Sequence, residues 1–486
     1  MTLSKKGLIG LALLVLGQSG VAIADTPNAK LTMTDCHLNG ISAQVRCGTL
    51  QVPENYSKKD GPKLSINFAI LPAIDNSKET LPLMFLAGGP GQAAVEMAGR
   101  LNKLFTEARK TRDIIMVDQR GTGKSHPLEC PDIEELDNYT VTPEDFDQQE
   151  IKDCIAKFTG DLSQFNSENA IRDFDAIREA LGHKQLNLYG GSYGTRAALV
   201  YMRLFPKNIR SVVLDSVGPI EVPIGLFGQS AARSFELLLK HCQEEETCNK
   251  AYPQLTQEFK QLMNRLEQAP VKITIPHPRL GTNTEFAISK GKVIGQIRAA
   301  LYGIEGRSMV PLIVHQAFMG NYLPLAGMIA AGEGAGGIYP GLLFNITCNE
   351  DYPRINDDMF AKDAVNSFGG GDSHTAFKRA CPVWPKYTPS EDFYNPVSAD
   401  IPTLIMSGNL DPVTPPSNGE YSAKTLPNSH HIVVEQASHG AIGSRCALSV
   451  MQEFLTTLKP KELDQSCFDK LPKETFMSSL NGGNAL

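Results

Sequence analysis

Beyond the run Leu8–Leu16, the 486-residue chain has no apolar stretch near the ~18 residues that a membrane-spanning helix requires. It also lacks a block of like charge. Its 46 basic and 53 acidic side chains are interspersed and leave a net charge of −7, so neither a nucleic-acid-binding surface nor one for anionic lipid is indicated. No C-x-x-C pair is present, which removes the usual zinc knuckle. No internal repeat or low-complexity tract interrupts the chain. What remains is the profile of a soluble globular enzyme or binding protein, with a length that allows two or three domains.

The first residues carry an address. Lys5 and Lys6 precede Leu8–Leu16, and Ala22-Ile23-Ala24 forms an A-x-A cleavage pattern, so residues 1–24 read as a signal peptide and Asp25 as the mature start. The run is too short for a stable membrane insertion, and the first cysteine, Cys36, is too far on to take a lipid at the cleavage point. An exported, periplasmic or secreted location is expected. There, ten cysteines read as disulfides. Spacing alone proves no connectivity, but it suggests five local pairs: 36–47, 130–154, 242–248, 348–381 and 446–467. Asn138-Tyr139-Thr140 and Asn345-Ile346-Thr347 are weak glycosylation patterns.

The chain is organised around Leu186–Arg196. A short apolar run ends in Gly190-Gly191-Ser192-Tyr193-Gly194, and a helical pattern follows from Ala197 to Phe205. A flexible glycine loop would satisfy the five residues alone. The flanking strand and helix instead indicate a nucleophile elbow, a tight turn that lifts Ser192 clear of a sheet and places it at a helix N-terminus. Glycines at 190 and 194 would let strand and helix approach closely.

Around this turn, short apolar strands alternate with helices. Strands are expected at 48–52, 64–71, 81–86, 114–117, 186–190 and 209–214, with 64–71 as an outer strand. Helices are expected at 93–109 and 167–181, the second capped by Ser167 and stopped by Gly182. The rhythm breaks from Pro219 to Pro385, where amphipathic helices at 231–242 and 257–266 and a glycine-rich passage at 332–341 suggest a large inserted cap. Strands at 401–407 and 430–435 and a helix at 445–458 resume the pattern. The expected fold is an α/β-hydrolase fold: a mostly parallel sheet with helices on both faces, in two parts (25–218 and 386–486) flanking a helical cap (219–385).

A serine hydroxyl needs a base, and the base needs an orienting carboxylate. In this fold the order is serine, acid, histidine, each in a loop after a strand. Asp411 and His439 occupy those places. Asp215, which closes the strand after the elbow, is the rival acid, and His430 and His431 are rival bases at the wrong end of their strand. The oxyanion donors are expected at the N–H of Tyr193 and in Gly88-Gly89-Pro90-Gly91, with Gly89 favoured. A phosphate-binding loop is disfavoured there because no Walker lysine follows. Thr414 is placed at the border of the site. No metal or cofactor is implied, and the sequence carries no signal of oligomeric state.

Gly-Gly-Pro-Gly at 88–91, Asp-Gln-Arg-Gly-Thr-Gly-Lys-Ser at 118–125 and Gly-Gly-Ser-Tyr-Gly-Thr at 190–195 together resemble the proline iminopeptidase and tripeptidyl aminopeptidase family of α/β-hydrolases. Asp411-Pro-Val-Thr-Pro and Ser438-His439-Gly440, with Cys446 following, resemble its exported branch. Ala87 stands where many cytosolic members have histidine, which also favours that branch. The resemblance implies Ser192, Asp411 and His439 as a triad and hydrolysis at the free N-terminus of peptide substrates. It also implies cap acids that recognise the substrate amine, placed here at Glu350 and Asp351. Asp118 and Arg120 are read as an ion pair supporting the oxyanion loop. The alternatives are an exported carboxylesterase or lipase-like enzyme with the same triad, and a non-catalytic binding protein.

Overall fold

A computed structural model describes residues 31–130, 147–277, 281–332, 337–370 and 374–481, apart from 59, 76, 78 and 79. The cleavage pattern at Ala22–Ala24 and the motif at Asn138 lie outside the described residues.

Among the described residues eleven strands form: β1 (Leu31–Cys36), β2 (Val45–Pro53), β3 (Lys63–Leu71), β4 (Leu83–Leu86), β5 (Ile114–Val117), β6 (Leu186–Gly191), β7 (Ile209–Asp215), β8 (Val271–Pro276), β9 (Asn283–Ile288), β10 (Thr403–Gly408) and β11 (Ser429–Val434). Nine make one sheet in the order β1-β2-β3-β5-β4-β6-β7-β10-β11. From β5 to β11 every neighbouring pair is parallel, and β1, β2 and β3 are joined antiparallel on one side.

The continuous apolar runs of β4 and β5 follow from burial on both faces. Met84, Leu86, Ile115, Val117, Leu188 and Ile405 point into one apolar core, shared with helices Ser167–Ala180 and Tyr193–Leu204. Their strand neighbours Leu83, Phe85, Ile114, Met116, Tyr189 and Leu404 point into another, shared with helices Ala98–Leu104 and Arg445–Thr457. Alternation of side chains along a strand thus builds two helix-covered cores from unbroken apolar segments.

The stretch 219–385 is mainly helical and has an apolar core of its own, including Phe235, Phe259, Leu262, Phe286 and Val314. It also holds the antiparallel hairpin β8–β9, which the sequence reading did not anticipate, although Val271, Ile273 and Ile275 alternate with Lys272 and Thr274 and pack with Phe286 and Ile288 on this core. The chain end returns to this region: Phe476 joins its core, and Met477 N–H donates to the Ser308 carbonyl at 2.9 Å. Residues 386–486 therefore do not belong wholly to the main sheet.

All five local disulfides are formed as expected. Several local expectations change. Strand β3 is not outer; β1 and β2 extend the sheet beyond it, and β1 escaped notice because four of its six residues are exposed. The cap of helix Ser167–Ala180 is Asn166, whose side chain accepts from Asn169 N–H at 2.9 Å. Gly182 follows that helix at φ +80°, as a stop residue should. Asn345 is fully buried and donates to the carbonyls of Leu162 and Phe165, so the folded protein cannot present it for glycosylation.

Arg120 does not pair with Asp118. Fully buried, it forms a two-point contact with Asp173 at 2.7 Å through each nitrogen, and gives its remaining protons to the carbonyls of Glu54, Gln164 and Pro53. Tyr56 also donates to Asp173. The pair ties the loop after β5 to helix Ser167–Ala180. Replacing Asp173 with alanine would leave the guanidinium buried and uncompensated. Asp173→Ala is expected to cost about 3–5 kcal/mol, measured by urea unfolding; a loss below about 1 kcal/mol would mean the pair is not a structural anchor.

Candidate active site

The turn after β6 is strained at one residue. Ser192 has φ 57° and ψ −123°, a region that non-glycine residues rarely occupy. Its neighbours explain how this conformation is held. A Cβ on Gly190 would lie 2.3 Å from the Gly194 carbonyl oxygen, and one on Gly194 would lie 2.0 Å from that of Leu86. Only glycine allows the helix to start this close to β4 and β6. Ser192 N–H donates to the Asp215 carbonyl at 2.9 Å, and Thr195 Oγ1 donates to the Ser192 carbonyl at 2.6 Å. Ser192 stays partly exposed at the head of helix Tyr193–Leu204.

The glycine loop passes directly beside it. A Cβ on Gly88 would sit 3.4 Å from Ser192 Cβ, and Gly89 and Gly91 both have positive φ. Asp118 braces this loop, accepting from Val95 N–H at 2.9 Å while Asn67 donates to its other oxygen. From the insertion, Tyr339 N–H donates to the Gly91 carbonyl at 2.8 Å. Tyr193 begins the elbow helix with its side chain buried and its hydroxyl 2.7 Å from Ser167 Oγ.

His439 and Asp411 meet across the ends of β11 and β10. His439 Nδ1 lies 2.9 Å from Asp411 Oδ2. Asp411 is fully buried; its Oδ1 accepts from the N–H groups of Val413 and Thr414, each at 2.8 Å. With Nδ1–H given to the carboxylate, Nε2 is left as the basic nitrogen. Burial alone would lower the imidazole pKa. The charge and hydrogen bond of Asp411, with Asp215 beyond, outweigh it and raise the value above that of an ordinary histidine. Burial would raise Asp411 in turn, but His439 and the two backbone donors hold its pKa below the usual carboxylate range.

The rival groups are engaged elsewhere. Asp215 accepts from Tyr189 Oη at 2.6 Å and from the N–H groups of Ala441 and Ile442, so it braces the loop behind His439. His430 contacts Gln465, and His431 contacts Ser407 Oγ.

Thr414 does more than border this pair: its hydroxyl donates to Asp411 Oδ2 at 2.8 Å and lies 3.2 Å from His439 Nδ1. Tyr302, which sequence reasoning missed, accepts from His439 N–H at 3.2 Å and sets its ring edge-on to the imidazole at 5.0 Å. Helix Gly228–Glu244 grips the acid loop from the insertion side. Ser230 donates to Pro412 O, Arg233 to Asn409 O and Ser234 to Leu410 O, at 2.6–2.8 Å. No local pattern marks these residues, because their partners lie more than a hundred positions away.

Glu350 and Asp351 do not face the site as expected. Both are buried to 1% exposure or less. Asp351 is taken up by Arg196 at 2.8 Å, Arg354 at 3.1 Å and Ile224 N–H at 2.9 Å. Glu350 accepts from Ser167 and Tyr387. A carboxylate so enclosed is not available to an incoming ammonium group, and the amine-facing role does not fit this arrangement.

Two family models match, one described as alpha/beta hydrolase fold over residues 82–246 and one as TAP-like protein over residues 368–467. The chain has the α/β-hydrolase fold. The two matches contain the Ser192 turn and the Asp411–His439 pair respectively. Among its relatives, the tripeptidyl aminopeptidase of Streptomyces lividans is 30% identical over 222 residues, covering 41% of this chain and 40% of the relative. The putative hydrolase YuaR of Escherichia coli (strain K12) is 29% identical over 247 residues, 47% and 49% of the two chains. The serine protease Hip1 of Mycobacterium tuberculosis (strain CDC 1551 / Oshkosh) is 30% identical over 194 residues, 37% of each. The matches thus span less than half the length of these relatives.

The Asp411–His439 contact makes a direct prediction. Asp411→Asn removes the charge that favours the imidazolium, so the ring of His439 should lose its proton at lower pH than in the parent. An NMR titration of the imidazole C–H signals measures this; an unchanged or raised pKa would show that Asp411 does not set the charge of His439.

Proposed function

We propose that this protein is an exported serine peptidase that releases N-terminal units, proline-type or tripeptide, from peptide substrates with a free N-terminus. The observation that carries it is the Asp411–His439 hydrogen bond of 2.9 Å, formed at the strand ends beside a strained serine turn. In this mechanism Ser192 Oγ attacks the scissile carbonyl, and His439 Nε2 takes its proton and passes it to the leaving amine. Asp411 holds the imidazole through Nδ1, with Thr414 steadying the carboxylate. The N–H of Tyr193 and one from the loop at Gly89 receive the oxyanion. Water then hydrolyses the acyl-enzyme by the same steps in reverse order.

Support for peptide hydrolysis comes from relatives named as a tripeptidyl aminopeptidase and a serine protease. Support for export comes from five disulfides, which persist in oxidising compartments. Among the described residues, no helix is long and apolar enough to cross a membrane.

Matched aminoacyl and tripeptidyl anilides, each with a free or acetylated N-terminus, test the proposal. Cleavage is expected only where the amine is free and is expected to fall at least ~10³-fold in Ser192→Ala. The anilide that is cleaved identifies the released unit. Equal turnover of acetylated substrates, or activity on short acyl esters alone, would replace the aminopeptidase with a general esterase.

A further inference from the structure

Glu350 takes no part in the steps above, yet it sits one hydrogen-bonded residue behind the nucleophile turn. It lies on the π-helical turn Thr347–Asp351, 1% exposed. Its Oε2 accepts from Ser167 Oγ at 2.6 Å; its Oε1 accepts from Ser167 N–H at 2.9 Å and Tyr387 Oη at 3.2 Å. Ser167 Oγ is in turn 2.7 Å from Tyr193 Oη. A serine hydroxyl has one proton. Given to the carboxylate, it leaves Ser167 able only to accept, so Tyr193 must donate to it. The chain then runs in one direction, Tyr193 to Ser167 to Glu350, and its first member immediately follows Ser192.

We propose that Glu350 is a positioning residue for the nucleophile. As the terminal acceptor of this buried chain, it holds Tyr193 from behind and thereby fixes the turn that carries Ser192 and the adjacent oxyanion donor. This rests on the reading of Ser192 as the nucleophile. The chain joins three parts of the fold: the elbow helix through Tyr193, the first turn of helix Ser167–Ala180, and the insertion through Glu350. Its direction depends on charge. A protonated Glu350 would donate to Ser167 Oγ, Ser167 would donate to Tyr193, and the tyrosine hydroxyl would no longer be held as a donor to Ser167.

Groups on every side bear on that charge. Burial pushes the Glu350 carboxyl up to about 7, against the two hydrogen bonds from Ser167; the neighbouring Asp351 raises it further and Arg196 opposes it. Tyr193 and Tyr387 face it with their hydroxyls, and both are buried. Arg354 contacts its backbone carbonyl, and Tyr394 lies nearby. A carboxyl raised in the folded state binds its proton more tightly than in the unfolded chain. Its contribution to stability is therefore present at low pH and is lost as pH rises from the unfolded value of 4.5 through about 7. The ionised form costs stability at the pH where it would organise the turn.

The test is the rate at which a fluorophosphonate labels Ser192, followed from pH 5 to 9 in the full chain. Beside the parent, Glu350→Gln mimics the protonated carboxyl, and Tyr193→Phe removes only the hydroxyl at the other end. In the parent, labelling should rise with pH more steeply than the ionisation of His439 alone allows. In each variant the steepness should fall to that of a single ionisation, and the plateau should drop about ten- to a hundredfold, as expected for a misplaced reacting group. The double variant should be no worse than either single one, since both cut the same chain. At pH 8 the thermal midpoint of Glu350→Gln should equal or exceed that of the parent, which separates positioning from unfolding. Labelling at the parental rate and with the parental pH profile in either folded variant would overturn the proposal, and Tyr193→Phe decides the matter if Glu350→Gln does not fold. A parent chain that is never labelled would instead remove the Ser192 reading, and the proposal with it.

Discussion

The close approach of the helix Tyr193–Leu204 to the centre of the sheet is the constraint on which the site depends. The backbone of Gly194 lies so near the Leu86 carbonyl that no side-chain atom fits between them. Drawing the helix in this far leaves too little chain for a relaxed turn, and Ser192 takes a positive φ. The strain is held from several sides, by the Asp215 carbonyl, by Thr195 and by the packing of Ala197, Ala198 and Tyr201 into the core. Local strain of this kind persists only where the surroundings over-determine it.

The insertion is part of this apparatus as well as a covering layer. Helix Gly228–Glu244 holds the loop of Asp411 through three side chains, and the Tyr302 carbonyl holds the backbone of His439. Buried charges extend the same linkage. Arg196, on the elbow helix, meets Asp351 from the insertion, and Arg120 meets Asp173 beneath the sheet. Each guanidinium also donates to backbone carbonyls, which lets a buried charge be tolerated. Activity and stability are therefore expected to share residues here.

Much of the fold was legible because its signals are local. Unbroken apolar runs such as Ile114–Val117 report burial on both faces, and glycines at 190 and 194 report a forbidden Cβ. Strand β1 was not legible, because its exposed residues hide the pairing that stabilises it, whereas the hairpin β8–β9 carried a readable alternation at Val271, Ile273 and Ile275 that the reading of this region as helices and loops passed over. The strained turn at Ser192 and the meeting of Asp411 with His439 could be read from strand order. Tyr302, Arg233 and Ser234 could not, since each acts through a backbone atom of a distant loop and carries no motif.

Carboxylates divide the two levels most sharply. Asp411 was readable as the partner of His439 because both sit at strand ends whose order dictates their meeting. Glu350, Asp351 and Asp118 carry the same chemical group in equally suggestive motifs, yet Asp351 is spent on Arg196, Glu350 on Ser167, and Asp118 on a loop rather than on Arg120. By itself the sequence determined the alternation of strands and helices, the tight turn at Ser192 and the strand-end positions of Asp411 and His439, because these follow from short-range sterics and periodicity. Only the tertiary structure decided which buried acid meets which cation or hydroxyl. That choice depends on desolvation and on distances between segments far apart in the chain, which no local pattern encodes.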